Sequence, residues 1–150
     1  MIIAVAAIWD KRKGLDDVIA LSQMIDDQII VVGVSEHQKE LLPSKILSIT
    51  KTEDVQELRR LYCISDVLIN PTYEDNYPTI NLEAIACGTP VITYETGGSP
   101  ESAMYFGAVV NKGNIQQLKA AISEIGYFRR NVSFLENNHF IQDYMNLLIE

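Results

Sequence analysis

Cysteine, histidine and basic charge are all scarce in this chain, and each scarcity removes a class of function. The only cysteines, Cys63 and Cys87, are far apart and flanked by apolar neighbours. They read as buried, reduced thiols rather than a disulfide or a metal site. His37 and His139 stand in polar surroundings with no second ligand at metal spacing, so both read as surface residues. Twelve Lys and Arg against 20 Asp and Glu give a net charge of −8. That balance argues against a nucleic-acid or anionic-membrane partner, since both require a basic surface. The longest purely apolar run is nine residues, Met1 to Trp9, far too short to span a membrane. It also lacks the charged start and small-residue cleavage site of a signal peptide, so a cytoplasmic protein is expected. Neither Gly-x-Gly-x-x-Gly nor a P-loop occurs, which removes the dinucleotide and nucleoside-triphosphate fingerprints. No repeat, low-complexity segment or internal linker interrupts the chain. An apolar share of 47% over 150 residues suits one compact domain with a real core.

Within that domain, short apolar runs alternate with amphipathic stretches from end to end. Ile2–Ile8, Gln28–Val34, Ile46–Thr50, Asp66–Asn70, Pro90–Tyr94 and Gly107–Asn111 read as six strands. Between them, helices are expected over Asp16–Met24, from a Ser35 cap to Leu42, after a Thr52 cap, over Thr79–Cys87, from Ser99-Pro100-Glu101, and over Asn114–Ile125. A last helix is expected over Phe134–Leu148, with Phe140, Ile141, Tyr144, Met145 and Leu148 on one stripe. Strand–helix alternation of this kind predicts an α/β, Rossmann-like domain: a six-stranded parallel sheet with helices on both faces. Ligands of such sheets bind beyond the carboxyl ends of the strands. Every unusual cluster falls there: Asp10–Gly14, Thr50–Thr52, Tyr73–Thr79 and Glu95–Ser99.

Lys11-Arg12-Lys13-Gly14 is the only run of three basic residues in an acidic chain. It is either a solvated loop or a cation placed to meet a phosphate at the sheet edge. Glu74 and Asp75 precede the helix that begins near Thr79, whose first amides are free to bind an anion. The two carboxylates either cap that helix or line a site beside it. Glu83, one turn into an otherwise apolar helix, needs a partner for its charge, and paired ribose hydroxyls suit a carboxylate. Gly97 and Gly98 are plain turn residues, or they let the backbone approach a ligand. Phosphate at the helix end, a diol at Glu83 and a further hydroxylated ring near Asp75 together describe a nucleotide sugar.

The stretch EDNYPTINLEAIACGTPVITYETGGSPE resembles the signature of the C-terminal, donor-binding domain of GT-B glycosyltransferases, in the retaining group known as group 1 or family 4. VAAIWDKRKGLDDVIAL resembles the start of the same domain, and SDVLINPTYEDNYPT its approach to the motif. The resemblance implies donor contacts from two acidic residues with seven between them, here Asp75 and Glu83. Asp75 stands where the family usually has Glu, and Glu74 beside it is out of register. Glu83 is implied as the ribose ligand. Asp75 and the segment Asn76, Tyr77, Pro78, Thr79 and Ile80 are implied to hold the transferred sugar and distal phosphate, with Glu74, Gly97 and Gly98 also at the substrate. Lys13 matches a lysine that neutralises the diphosphate, and Ser48–Thr52 would lie near the base. Ala7 and Ile8 stand where the family often has arginine, a charge that Arg12 would supply. The donor is expected to be a UDP- or GDP-sugar, with no metal and no cofactor. The saccharide or lipid-linked acceptor, and any peripheral membrane contact, would come through an N-terminal domain. Residues 1–150 are therefore expected to be the nucleotide-sugar-binding domain of a longer enzyme, excised from it, that builds surface polysaccharide. A nucleotide-sugar epimerase or phosphorylase half, and a non-enzymatic flavodoxin-like module, are the rival readings. Lys-Arg-Lys after Asp10 counts against the latter, because a receiver domain would carry clustered acids there.

Overall fold

The computed structural model describes residues 1–125. The helix expected over Phe134–Leu148 lies outside the described residues, as does His139. Six strands, β1 (Ile2–Val5), β2 (Ile29–Val32), β3 (Ile46–Ile49), β4 (Val67–Asn70), β5 (Val91–Tyr94) and β6 (Gly107–Val110), form one sheet in the order β3-β2-β1-β4-β5-β6. Every neighbouring pair is parallel. The α/β Rossmann-like arrangement expected from the sequence is the one observed. Each strand is four residues long, shorter than the run expected for it from the sequence.

Parallel strands need a crossover each, and here the crossovers are α1 (Leu15–Ser22), α2 (Glu36–Leu41), α3 (Val55–Ile64), α4 (Thr79–Ala86) and α5 (Ser99–Ala103), with α6 (Ile115–Ile125) after the last strand. Side chains alternate across the pleat, so the sheet feeds two cores. Ile2, Ala4, Ile29, Val31, Val67, Ile69, Ile92 and Tyr94 pack under α1 and α6, against Val18, Leu21, Leu118 and Ile125. Ile3, Val5, Ile30, Val32, Leu68 and Val91 pack under α3, α4 and α5, against Tyr62, Ala84, Ile85 and Ala103. Each fully buried aliphatic side chain contributes about 1.5–3 kcal/mol relative to exposure, which is why four-residue strands suffice. Edge strands β3 and β6 are the less buried ones.

Helix starts follow capping chemistry, with two departures from the expected caps. Ser35 caps α2 in a reciprocal capping box with Gln38, as expected. Asp54, not Thr52, caps α3: its carboxylate accepts from the Glu57 N–H at 2.8 Å, and the Glu57 carboxylate accepts in turn from the Glu53 N–H. Val55, the first residue of α3, is 62% exposed. Gly98, not Ser99, is the N-cap of α5, leaving Ser99 buried as its first residue. The thiols also differ from expectation. Cys63 is exposed on α3 and Cys87 only half-buried at the end of α4, and neither is in a disulfide. Tyr62 packs inward, whereas Cys63 and its other neighbour Ile64, 59% exposed, turn outward. His37 is on the surface, as expected.

Candidate functional site

The strand order reverses between β1 and β4: the chain builds outward through β2 and β3, then crosses back to add β4 on the other side. The loops leaving those two strands diverge at this point and open a crevice. A cleft of about 370 Å³ lies there. One wall is the exit of β1, Val5 to Ile8, followed by Asp10, Arg12 and Lys13; the other is Asp75 and the segment Tyr77–Ile80.

The basic run is held as a single 3-10 turn, Lys11–Lys13, capped by Asp10, whose carboxylate accepts from the Arg12 N–H at 2.9 Å. Gly14 ends the turn at φ +77°, and a Cβ there would stand 2.1 Å from the Pro71 carbonyl oxygen. Only glycine permits that conformation and that approach together. The turn is thereby seated on the β4 exit. Arg12 forks onto Asp10, with Nη2 and Nε donating at 2.7 and 3.0 Å, and reaches only 4.0 Å from Glu74. The Arg12 hydrogen bond holds the Asp10 carboxyl below its ordinary range, and Asp10 raises Arg12 in return. Arg12 is thus already committed to an acid in its own turn.

Lys13 points the other way. Its Nζ donates to Asp75 Oδ2 at 2.7 Å, with both side chains mostly covered. The loop carrying Asp75 is tied to the basic turn by its backbone as well: Tyr73 N–H donates to the Arg12 carbonyl at 2.6 Å. Thr72 Oγ1 lies within hydrogen-bonding distance of the Arg12 and Glu74 carbonyls. From the far side the β5–α5 turn closes on the same loop. A Cβ on Gly97 would lie 1.8 Å from the Asp75 carbonyl oxygen, and one on Gly98 2.2 Å from that of Asn76. These glycines do admit a close backbone approach, and the backbone they admit is the chain's own acidic loop.

α4 begins at Thr79 after Pro78, and no side chain among the described residues caps it. Neither Glu74 nor Asp75 serves as a cap: Glu74 is exposed and Asp75 is spent on Lys13. The first amides of α4, at Thr79 and Ile80, therefore end in the cleft wall within the same pocket as Lys13. An uncapped helix start beside a lysine is an arrangement that can hold an anion, phosphate above all.

Glu83 is not among the residues lining this cleft. It lies half-buried on α4, where the Tyr62 hydroxyl donates to its Oε2 at 3.1 Å. Asn76 is exposed beside the cleft wall, and Tyr77 is 40% exposed in it. The structure thus brings together Arg12, Lys13, Asp75 and Tyr77–Ile80, and sets Glu74, Glu83, Asn76, Gly97 and Gly98 around them. Sequence reasoning placed Asp10 at the head of a strand-end cluster but missed its pairing with Arg12, which its place before three basic residues signalled. It also overlooked Asp17, whose carboxylate meets two tyrosines 56 and 77 residues away, a convergence no local pattern encodes.

A six-stranded parallel sheet with a cleft at the point where its strand order reverses defines a Rossmann-like α/β domain, and comparison with known proteins narrows the class. The family described as glycosyl transferases group 1 matches residues 1–126. The chain belongs to that family. It is 32% identical over 95 residues to an alpha-galactosylglucosyldiacylglycerol synthase of Streptococcus pneumoniae, covering 55% of this chain and 25% of that protein. Among solved structures it resembles WaaG, a glycosyltransferase involved in lipopolysaccharide biosynthesis, with TM-score 0.73 and 22% identity over 97% of this chain and 42% of that one. It also resembles Anabaena Alr3699/HepE in complex with UDP-glucose, with TM-score 0.67 and 18% identity over 97% of this chain and 48% of that one. The chain thus spans a quarter of that relative's length and under half of each of these two structures. Among the described residues no helix is long and apolar enough to cross a membrane.

Proposed function

We propose that this chain is the donor-binding domain of a retaining glycosyltransferase, and that the β1/β4 cleft takes the diphosphate of a UDP- or GDP-hexose. The observation that carries this reading is the convergence of Lys13, Asp75 and the uncapped start of α4 on one cleft. The UDP-glucose complex of HepE, a protein of the same fold, supports the choice of a nucleotide sugar.

In this reading Lys13 and the Thr79 and Ile80 amides bind the diphosphate. Lys13 exchanges Asp75 for phosphate as the donor enters, which frees the Asp75 carboxylate to accept from hydroxyls of the transferred sugar. As the glycosidic bond breaks, charge grows on the departing diphosphate, and donors already aimed at it lower the barrier. Glu83, one turn along α4 with one oxygen taken by Tyr62, accepts from the ribose diol through the other. The acceptor side of the reaction belongs to protein outside these residues. A saccharide or lipid-linked acceptor and a role in surface polysaccharide synthesis are proposed, supported by the names of the S. pneumoniae synthase and WaaG, with the cytoplasmic side of the membrane as the proposed setting.

Calorimetric titration with UDP, GDP, UDP-glucose and uridine tests the proposal. One of the two diphosphates, or the nucleotide sugar, is expected to bind well above uridine. Failure of every diphosphate to bind overturns it.

A further inference from the structure

Asp17, in the first turn of α1, has a role that the donor reading does not use. Acids in a first helical turn usually serve the helix dipole, and exposed Asp16 suffices for that. The Asp17 carboxylate is instead directed into the fold. Its Oδ2 accepts from the Tyr94 hydroxyl at 2.6 Å and from the Tyr73 hydroxyl at 2.7 Å. The two rings meet edge to face, with centroids 5.6 Å apart. Tyr94 is the last residue of β5 and fully buried, so it is a fixed post in the sheet. Tyr73 is not in the sheet; it opens the loop that carries Asp75. Three ties hold it: its N–H to the Arg12 carbonyl, its carbonyl to the Thr96 hydroxyl, and its own hydroxyl to Asp17. The β6–α6 turn closes from above, where a Cβ on Gly113 would come within 3.1 Å of the Tyr73 hydroxyl oxygen.

A partly buried carboxylate is costly unless its charge is met by donors, and two phenols on one oxygen meet it. The phenols respond in kind. Burial and then the Asp17 hydrogen bond push the Tyr73 hydroxyl up to about 12, and the same causes raise Tyr94 further. Both stay protonated donors at neutral pH. Two residues beyond Tyr73, the backbone reaches Asp75 and the Lys13 pair. The loop is therefore fastened at one end by the tyrosine–aspartate node and read out at the other by the ion pair in the cleft.

We propose that Asp17, acting through Tyr73 and Tyr94, is a positioning residue that sets the Tyr73–Asp75 loop, and with it the Lys13–Asp75 pair, for the diphosphate and sugar of the donor. This rests on the donor reading for its ligand but not for its loop. Two measurements on the chain separate them: backbone hydrogen exchange without ligand, and calorimetry with UDP and with uridine. Tyr73→Phe and Asp17→Ala are expected to speed exchange at Tyr73–Asn76 while β1, β4 and β5 stay protected. They are expected to weaken UDP about three- to tenfold and uridine less than twofold. Asp17→Asn, whose carbonyl oxygen can still accept from both phenols, should recover most of the Asp17→Ala loss. Unchanged exchange in the loop, acceleration spread over the sheet, equal losses for both ligands, or no recovery in Asp17→Asn each overturns the proposal. Failure of the unsubstituted chain to bind UDP and GDP alike overturns the donor reading instead, and exchange alone then decides the positioning of the loop; where only GDP binds, GDP and guanosine take the places of UDP and uridine.

Discussion

Lys13 and Asp75 meet across 62 residues of chain in one 2.7 Å ion pair, and the donor reading turns on what separates them. Removing Lys13 leaves Asp75 without its cation and the diphosphate without a point charge. Lys13→Ala is therefore expected to weaken UDP by about 1.5–3 kcal/mol, the value of a charge-assisted hydrogen bond, while leaving uridine nearly unchanged. Calorimetry with both ligands checks this, and a uniform loss contradicts a phosphate partner. Glu83→Gln should weaken UDP or GDP more than Glu74→Gln, because Glu74 is exposed and 4.0 Å from Arg12, whereas Glu83 stands on α4 beside the proposed ribose. Equal effects in two folded variants remove the diol assignment. Gly97 carries a structural prediction. At φ +50°, with Asp75 carbonyl oxygen 1.8 Å from any added Cβ, Gly97→Ala must push the two loops apart. A loss of about 1–3 kcal/mol in urea unfolding is expected; an unchanged midpoint contradicts so close a contact.

At the scale of elements, the strands were legible because each is a short apolar run closed by turn residues, and a parallel sheet buries both faces of such runs. Helix ends were less so. Thr52 and Ser99 are good caps by composition, yet Asp54 and Gly98 occupy the cap positions, since where a helix starts is decided by how it docks on the sheet. Lys13, Asp75 and the α4 start were each visible as a cluster at a strand end. Their pairing, and the commitment of Arg12 to Asp10, were not, because both depend on loops meeting across the sheet. The cysteines illustrate the same limit. Apolar flanks suggested burial, but α3 turns Cys63 to solvent, while Cys87, at the end of α4, has its thiol pushed up to about 12 by burial and by neighbouring Cys63. Only thiolate reacts with an alkylating agent, so Cys63 is expected to be modified by iodoacetamide before Cys87. Peptide mapping over time reads the order, and equal rates contradict it.

For the whole molecule, the expectation is set by what the chain spans. The chain matches nearly all of its own length to under half of WaaG and HepE, and on the proposed reading it carries the donor side of the reaction alone. The isolated chain is expected to bind donor and to transfer no sugar, since positioning both substrates is a large share of rate enhancement. Labelled nucleotide sugars and a panel of acceptors test that, and stoichiometric transfer by these 150 residues contradicts it. The most direct measurement is the map of backbone amide shifts in the chain titrated with UDP. A diphosphate at the switch point of the sheet predicts the largest changes at Lys13, Asp75, Thr79 and Ile80, with the β6–α6 turn at Asn111–Gly113 unmoved. Saturable changes centred away from the β1 and β4 loops, or none with UDP or with GDP in a parallel titration, would contradict it.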